Sequence, residues 1–324
     1  MRSAVLTIFA VAIIAGCSGG PPPVSSLAPA QTAPFFPHHR ARAAGLQDLA
    51  IAEYSDNSVQ IFNKSYQPVE TITSGVDGPV STWYDPKDGA LYVANASNGT
   101  ITEYPKGSSS SSFTYASGLQ CPYDVKTDRH ENVYVVDGCK AIVAEYPQGI
   151  NRISAECPVG APYPKSVAVD QAGNVFVGVQ FSASGMGQVQ EYIRKSGALS
   201  GLSGCNDESL ISLGDPTGLL FDKAGNMIAC DEGFSGYPYI PPNVDIIPPP
   251  YTSISEKLGG FKGPVGSALN EKQNTLFVAD RIGGTGNGDV NVVTYPGGRL
   301  LATLGASYGV TDAWGVAAYP VAKW

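Results

Sequence analysis

The chain has 324 residues, with 28 acidic against 20 basic side chains, a formal net charge of −8 and only 15 % charged residues. That balance excludes a nucleic-acid binder, because a phosphate backbone has to be met by a basic face. The 38 Gly and 25 Pro mark many turns, and helical character is confined to the first residues, which points to an all-β chain.

Met1-Arg2 gives a short positive start and Ala4–Ala15 is an apolar run. The run has the length of a signal-peptide core and is too short to span a bilayer. It ends in Ile14-Ala15-Gly16-Cys17, which resembles the bacterial lipobox, where a diacylglyceryl group is added to the Cys and cleavage falls just before it. The resemblance implies a lipoprotein signal peptide over 1–16, lipidation of Cys17 and an extracytoplasmic site in the cell envelope. Ser18, standing where inner-membrane lipoproteins carry Asp, implies the outer membrane in a Gram-negative cell. An ordinary secretory peptide with a chance cysteine is the alternative. Residues 17–46 are Pro- and Ala-rich without any period, so they read as a lipidated tether unable to offset its own ordering entropy. His38 and His39 sit there beside Arg40 and Arg42, a solvated or headgroup-facing basic patch rather than a metal site.

From residue 47 the chain repeats. NVYVVDGCKAIVAEYPQG from Asn132 is an alternating strand, a polar turn at Asp137-Gly138 and a second alternating strand ending in Tyr-Pro. Near-copies begin at Asp48, Ala90, Asn174, Asn226 and Thr275. Each unit opens with a strand starting at Pro79, Pro122, Pro164, Pro216 or Pro264, and a sixth starts near Asp312, at spacings of 43, 42, 52, 48 and 48. Asp128, Asp170 and Asp222 end opening strands and begin tight hairpins. The sixth opening strand has nothing after it, while Leu49–Tyr54, Ser58–Phe62 and Pro68–Thr73 are left over at the head. The last strand is therefore expected to complete the first sheet and close a ring: a six-bladed β-propeller with four antiparallel strands per blade over 47–324. A solenoid or sandwich would leave those end strands without partners. The pattern resembles NHL-repeat propellers and their six-bladed relatives, an architecture that carries many unrelated activities.

Beyond Cys17 five cysteines remain, an odd number for an exported chain. Cys121 precedes one opening strand and Cys139 follows the next, so the two loops share a face and can pair, contributing roughly 3 kcal/mol. Cys205 and Cys230 bracket a later blade in the same way, with Cys157–Cys205 as the rival. CxxC spacing is absent, so zinc and thioredoxin-type chemistry lack support.

His130, the one histidine of the repeat region, falls in a hairpin turn away from the expected binding loops, which leaves Ser-His-Asp or Cys-His chemistry without a base. Resemblance to gluconolactonase-type propellers implies a divalent metal held by Glu, Asn and Asp where the inner strands begin. The corresponding pairs here are Val80-Ser81, Tyr123-Asp124, Lys165-Ser166, Thr217-Gly218, Val265-Gly266 and Ala313-Trp314. Only Asp124 is a carboxylate, with Lys165 expected to neutralise it, and a hard cation needs several oxygens. No metal or cofactor is expected; a metal-dependent lactonase- or lyase-like enzyme stands as the alternative.

The position ending each second strand holds Glu53, Asn95, Asp137, Asp231 and Asp280, with Val179 in the remaining unit. These side chains either start the turn to the third strand or form an acidic rim for cations or a basic partner. The tyrosines of Glu103-Tyr104, Glu145-Tyr146 and Glu191-Tyr192 are expected between blades with their hydroxyls on backbone groups. GGTGNG at 283–288 lacks the GK[ST] ending of a phosphate loop. The connections Gln180–Gly187, Glu232–Pro242 and Arg281–Gly288 are long, and the middle one carries Phe234, Tyr237 and Tyr239. Together with Tyr123, Asp124, Lys165, Thr217 and Trp314 they form the expected binding site. The expectation is a monomeric, lipid-anchored propeller that binds a protein, peptide or glycan and performs no chemistry.

Overall fold

The structure, a computed structural model, describes residues 48–160, 162–181, 186–193, 202, 205, 207–236, 239–283 and 288–321. The signal peptide, Cys17, the tether and Tyr237 lie outside the described residues, as do 182–185 and 284–287 of two long loops.

Six four-stranded antiparallel sheets account for the described chain. The first combines β1 (Asp48–Glu53), β2 (Ser58–Phe62) and β3 (Pro68–Ile72). The second is β4 (Pro79–Tyr84), β5 (Leu91–Asn95), β6 (Thr100–Tyr104) and β7 (Phe113–Tyr115). The third is β8 (Pro122–Thr127), β9 (Val133–Asp137), β10 (Ile142–Tyr146) and β11 (Ala155–Pro158). The fourth is β12 (Tyr163–Val169), β13 (Val175–Gln180), β14 (Gly187–Tyr192) and β15 (Asp207–Leu213). The fifth is β16 (Pro216–Phe221), β17 (Met227–Asp231), β18 (Asn243–Ile247) and β19 (Glu256–Leu258). The sixth is β20 (Pro264–Leu269), β21 (Thr275–Asp280), β22 (Asp289–Thr294) and β23 (Leu300–Leu304), and β24 (Ala313–Tyr319) follows it. The sheets are the blades of a six-bladed propeller. β24 pairs with β1, Leu49 opposite Ala318 and Ile51 opposite Val316, so the tail seals the ring by completing the first blade.

Each middle strand is covered by a neighbouring blade on both faces, which is why sequences such as VYVVD in β9 are buried at every position. Leu49 and Ile51 face the sixth blade and pack with Phe277 and Val292, while Ala50 faces the second blade with Tyr84 and Val93. The seam is thus as apolar as any other, and its truncation would cost several kcal/mol.

The hairpin between first and second strands is built the same way in successive blades. In the third blade the Asp128 carboxylate accepts the N–H groups of His130 and Asn132 at 2.8 and 3.0 Å. Asp222 repeats this with Ala224 and Asn226. The turn needs one left-handed residue, filled by Gly225 at φ +81° and by Glu131 at φ +64°. His130 lies in such a turn, and these turns open on one face of the ring.

The tyrosines behave as expected: Tyr104 donates to the Ser74 carbonyl at 2.6 Å and Tyr146 to that of Ser117 at 2.7 Å. Cys121 and Cys139 are bonded with Cα atoms 5.4 Å apart. The second disulfide is Cys157–Cys205, not Cys205–Cys230. Cys230 lies inside β17, packed against Ile228, Val244 and Ile246, and points into the sheet interface. Cys157 is on the outermost strand of its blade, where the neighbouring blade's loop can reach it. Two such bonds belong to a chain that matures in an oxidising, extracytoplasmic compartment. Among the described residues no helix is long and apolar enough to cross a membrane.

Candidate functional site

Every inner strand carries a β-bulge near its start. The register against the second strand slips between Pro79 and Ser81, Pro122 and Asp124, Pro164 and Ser166, Pro216 and Gly218, Pro264 and Gly266, and Ala313 and Gly315. A bulge leaves the extra residue out of the ladder and re-aims its side chain. The six extra residues are Val80, Tyr123, Lys165, Thr217, Val265 and Trp314, and they encircle the channel mouth on the face opposite the hairpin turns.

Val80 and Val265 are buried, and the Thr217 hydroxyl donates to the Pro264 carbonyl of the next blade at 2.9 Å. That leaves two aromatic platforms. Tyr123 lies over Gly138, where a Cβ would meet its ring at 2.2 Å, and Lys165 Nζ stands 5.6 Å from the ring centre. Across the mouth Trp314 packs against Tyr54, with centroids 5.1 Å apart, and its indole N–H donates to Asp312 at 3.0 Å. The Arg281 guanidinium sits 5.3 Å from the Trp314 ring and is paired with Glu232. Asp215 lies between the charges: burial pushes its carboxyl up to about 6, and Lys165 and Arg281 oppose the shift.

Below the mouth the inner strands converge on small residues. Gly315 is required there, since a Cβ would lie 2.7 Å from Ser81 Cα. Asp124 fills this constriction. Its Oδ1 accepts from Ser81 Oγ at 2.6 Å, Lys126 Nζ at 2.7 Å and its own strand's Val125 N–H at 2.8 Å. Its Oδ2 accepts the Val167 N–H at 3.0 Å. The carboxylate therefore ties β4, β8 and β12 together at the axis. Its cation is Lys126, two residues along the same strand face, and not Lys165 as the sequence had suggested. The pair is buried, with 5 % and 10 % of the side chains exposed. Lys126 also lies 5.2 Å from the Trp83 ring centre, and Trp83 donates to Thr127 at 2.9 Å. Trp83 lines both an upper, polar pocket and a lower, apolar one walled by Leu220, Ala268 and Ala317.

This donor set does not fit a divalent metal. The single carboxylate at the constriction is saturated by four donors, one of them an ammonium, whereas hard cations need free oxygens. No group of three metal-ligating side chains occurs among the described residues.

The ring of Glu53, Asn95, Asp137, Asp231 and Asp280 is buried, and it clamps the strap that enters each blade. Asp137 accepts the N–H groups of Gln120, Cys121, Cys139 and Lys140. Asp231 accepts those of Gly214 and Asp215, Asp280 those of Lys262 and Gly263, and Glu53 those of Thr311 and Asp312. Turn initiation describes Asp137 and Asp231 in part, but the main partners come from the preceding strap. An acidic rim on the surface is not what these side chains form.

Of the loop aromatics, Phe234 is half-buried; its N–H and carbonyl pair with Ile240 at 2.8 and 2.9 Å, and its ring lies over Gly236. Tyr239 is 66 % exposed, the most exposed large apolar side chain among the described residues. Sequence reasoning missed Tyr54, Glu232 and Arg281. A signal for them existed: each directly follows a clamp residue, Glu53, Asp231 or Asp280, where the strand leaves for the mouth face.

No protein-family profile and no curated protein matches this sequence. Among solved structures it is similar to a chain from the crystal structure of a nidogen/laminin complex. That match has 15 % identity and a TM-score of 0.67 over 84 % of this chain and 98 % of the other. At that identity the likeness is one of fold alone.

Proposed function

We propose that this chain is an extracytoplasmic binding propeller, held to the cell envelope by lipid on Cys17, that takes a protein segment, peptide or glycan at its channel mouth. The observation that carries this is the six-fold bulge. It sets Tyr123 and Trp314 around a polar pocket with Lys165, Arg281, Asp215 and Glu232 between them, while Asp124, the carboxylate at the constriction, is committed to serine, lysine and backbone donors. Aromatic faces flanked by both signs of charge suit a polar chain laid across the opening. Tyr239 extends the platform outward. The fold neighbour belongs to a complex of two proteins, which favours association over turnover. β1 enters from the opposite face, so a lipidated N-terminus would leave the mouth directed away from the bilayer.

The test is a photo-crosslinking residue placed at Tyr123 in intact cells, with Lys223 on the opposite face as control. A defined adduct at Tyr123 that disappears with Trp314→Ala is expected; adducts at neither position, or equally at both, would refute the reading. A thermal shift with EDTA and with added Ca²⁺ tests the metal-dependent alternative, and no shift is expected.

A further inference from the structure

The charge of this acidic chain is distributed unevenly between the two ends of the ring. Turns between third and fourth strands carry exposed Lys64, Lys106, Arg152 and Arg299, and the described residues of these turns include no carboxylate. Turns between first and second strands expose Lys87, Arg129, Lys223 and Lys272 against Asp88 and Glu271. The other acids there are withdrawn: Asp85, Asp128 and Asp222 are buried as turn anchors, Asp170 is a half-buried one, and Glu131 and Lys87 neutralise each other as a pair. Antiparallel connectivity puts both sets of turns at the same end, away from the mouth. That end also exposes Val69, Leu300 and Leu301 at 51, 57 and 47 % on the adjacent first and sixth blades. Asp48, opposite Tyr319, lies at this end too, so whatever precedes it leaves the propeller here.

We infer that this face rests on an anionic bilayer surface. The inference builds on the proposed lipid anchor at Cys17, which would keep the propeller at a bilayer. Basic side chains attracted to anionic headgroups, with a few apolar side chains at the boundary, are what an interfacial contact requires. The cations lie within one ring face, so they act together inside a Debye length of the surface.

The full chain is reconstituted with phosphatidylcholine vesicles, or with vesicles containing phosphatidylglycerol, and its lysines are labelled with a water-soluble amine reagent and read by mass spectrometry. Lys64, Lys223 and Lys272 should label about fivefold more slowly on anionic vesicles, the factor one basic residue's attraction supplies. Lys140 and Lys262, exposed on the mouth face, should not change, and 1 M salt should abolish the protection. Combined reversal of Lys64, Lys106, Lys272 and Arg299 to Glu should remove protection at Lys223 while flotation persists. Equal labelling of the two faces on anionic vesicles, protection that survives the reversal, or protection reproduced by a soluble anionic polysaccharide would overturn the proposal. Flotation separates the two readings. A chain floating in 1 M salt with unprotected lysines keeps the anchor and loses this face. A chain floating only in low salt, with protection, loses the anchor and keeps the face.

Discussion

The clamp ring offers the sharpest test, because its two readings predict opposite signs. Asp137 is fully buried and takes backbone N–H groups on both oxygens, Gln120 at 2.5 Å on Oδ2, Cys139 and Lys140 at 3.1 and 3.0 Å on Oδ1. Asp137→Asn is isosteric but sets an amide N–H₂ against one of those donors. A charge-assisted bond is lost and a buried N–H is stranded, about 3 kcal/mol together. Asn95 is the reverse case. Its amide donates to the Gly75 carbonyl at 3.2 Å and to Thr102 at 3.0 Å, while its oxygen accepts the Asp77 N–H. Asn95→Asp would aim a carboxylate oxygen at that carbonyl, at a similar cost. A propeller of this size unfolds with an entropy of roughly 0.6 kcal/mol/K, so each change should lower Tm by about 5 °C in calorimetry. A rim maintained for its negative potential predicts otherwise, since removing one charge from a chain of net charge −8 relieves repulsion. A Tm unchanged or raised in Asp137→Asn would refute the clamp.

Burial pushes the Asp245 carboxyl up to about 6 from 3.8, with Lys257 at 3.4 Å opposing. The folded state holds that proton where the unfolded state has lost it, so stability falls as pH rises from about 4 to 6. Asp245→Asn should therefore add about 3 kcal/mol at pH 8 and little at pH 4, read from denaturation midpoints at both pH values. Burial also pushes the Cys230 thiol up to about 12; it should resist maleimide in the native protein and react on unfolding, and native labelling would contradict the packing. Gly225 sits at φ +81° with no atom closer than 3.9 Å to an added Cβ, so Gly225→Ala should cost about 1 kcal/mol through backbone strain alone. By chain entropy, removing Cys157–Cys205, with 48 residues between its ends, should cost about 1 kcal/mol more than removing Cys121–Cys139, with 18, in equilibrium unfolding.

The ring was legible because its cause is repetitive. Asp128, Asp170 and Asp222 mark the same turn, and an unpartnered tail strand facing leftover head strands has one economical solution. Register was not legible. A single extra residue in each inner strand decides whether Tyr123 or Asp124 faces the mouth, and no composition signal marks a bulge in PYDVKT or PKSVAV. That slip is why Asp124 lies in the constriction with Lys126 instead of at the rim with Lys165. The second disulfide was misjudged for a related reason. Sequence spacing treats Cys230 as a loop residue beside Cys205, but it is the penultimate residue of β17, and its side chain is held in the blade interface by Val244 and Ile246.

The same geometry separates the inner-strand positions that the fold constrains from the one it leaves variable. The three residues spanning the bulge of each inner strand are PVS, PYD, PKS, PTG, PVG and AWG. The first is nearly always Pro, at a strand start where a ring nitrogen without a hydrogen is tolerated. The third is small or, once, the axial Asp124, because six strands crowd the axis there. The fold constrains both positions, and the bulge releases the one between them from the ladder. Val80, Tyr123, Lys165, Thr217, Val265 and Trp314 are correspondingly dissimilar in size, charge and aromaticity. A position released from the ladder around a pore is where binding chemistry can differ from one propeller to the next. Exchanging Tyr123 and Trp314 for Val, the residue that two blades already carry there, should leave Tm within about 2 °C of the starting protein, since half-exposed side chains contribute little to the core. The same double change should abolish crosslinking at Thr217. Loss of folding in that variant would mean that the bulge residues carry structure and that the mouth is not the variable site.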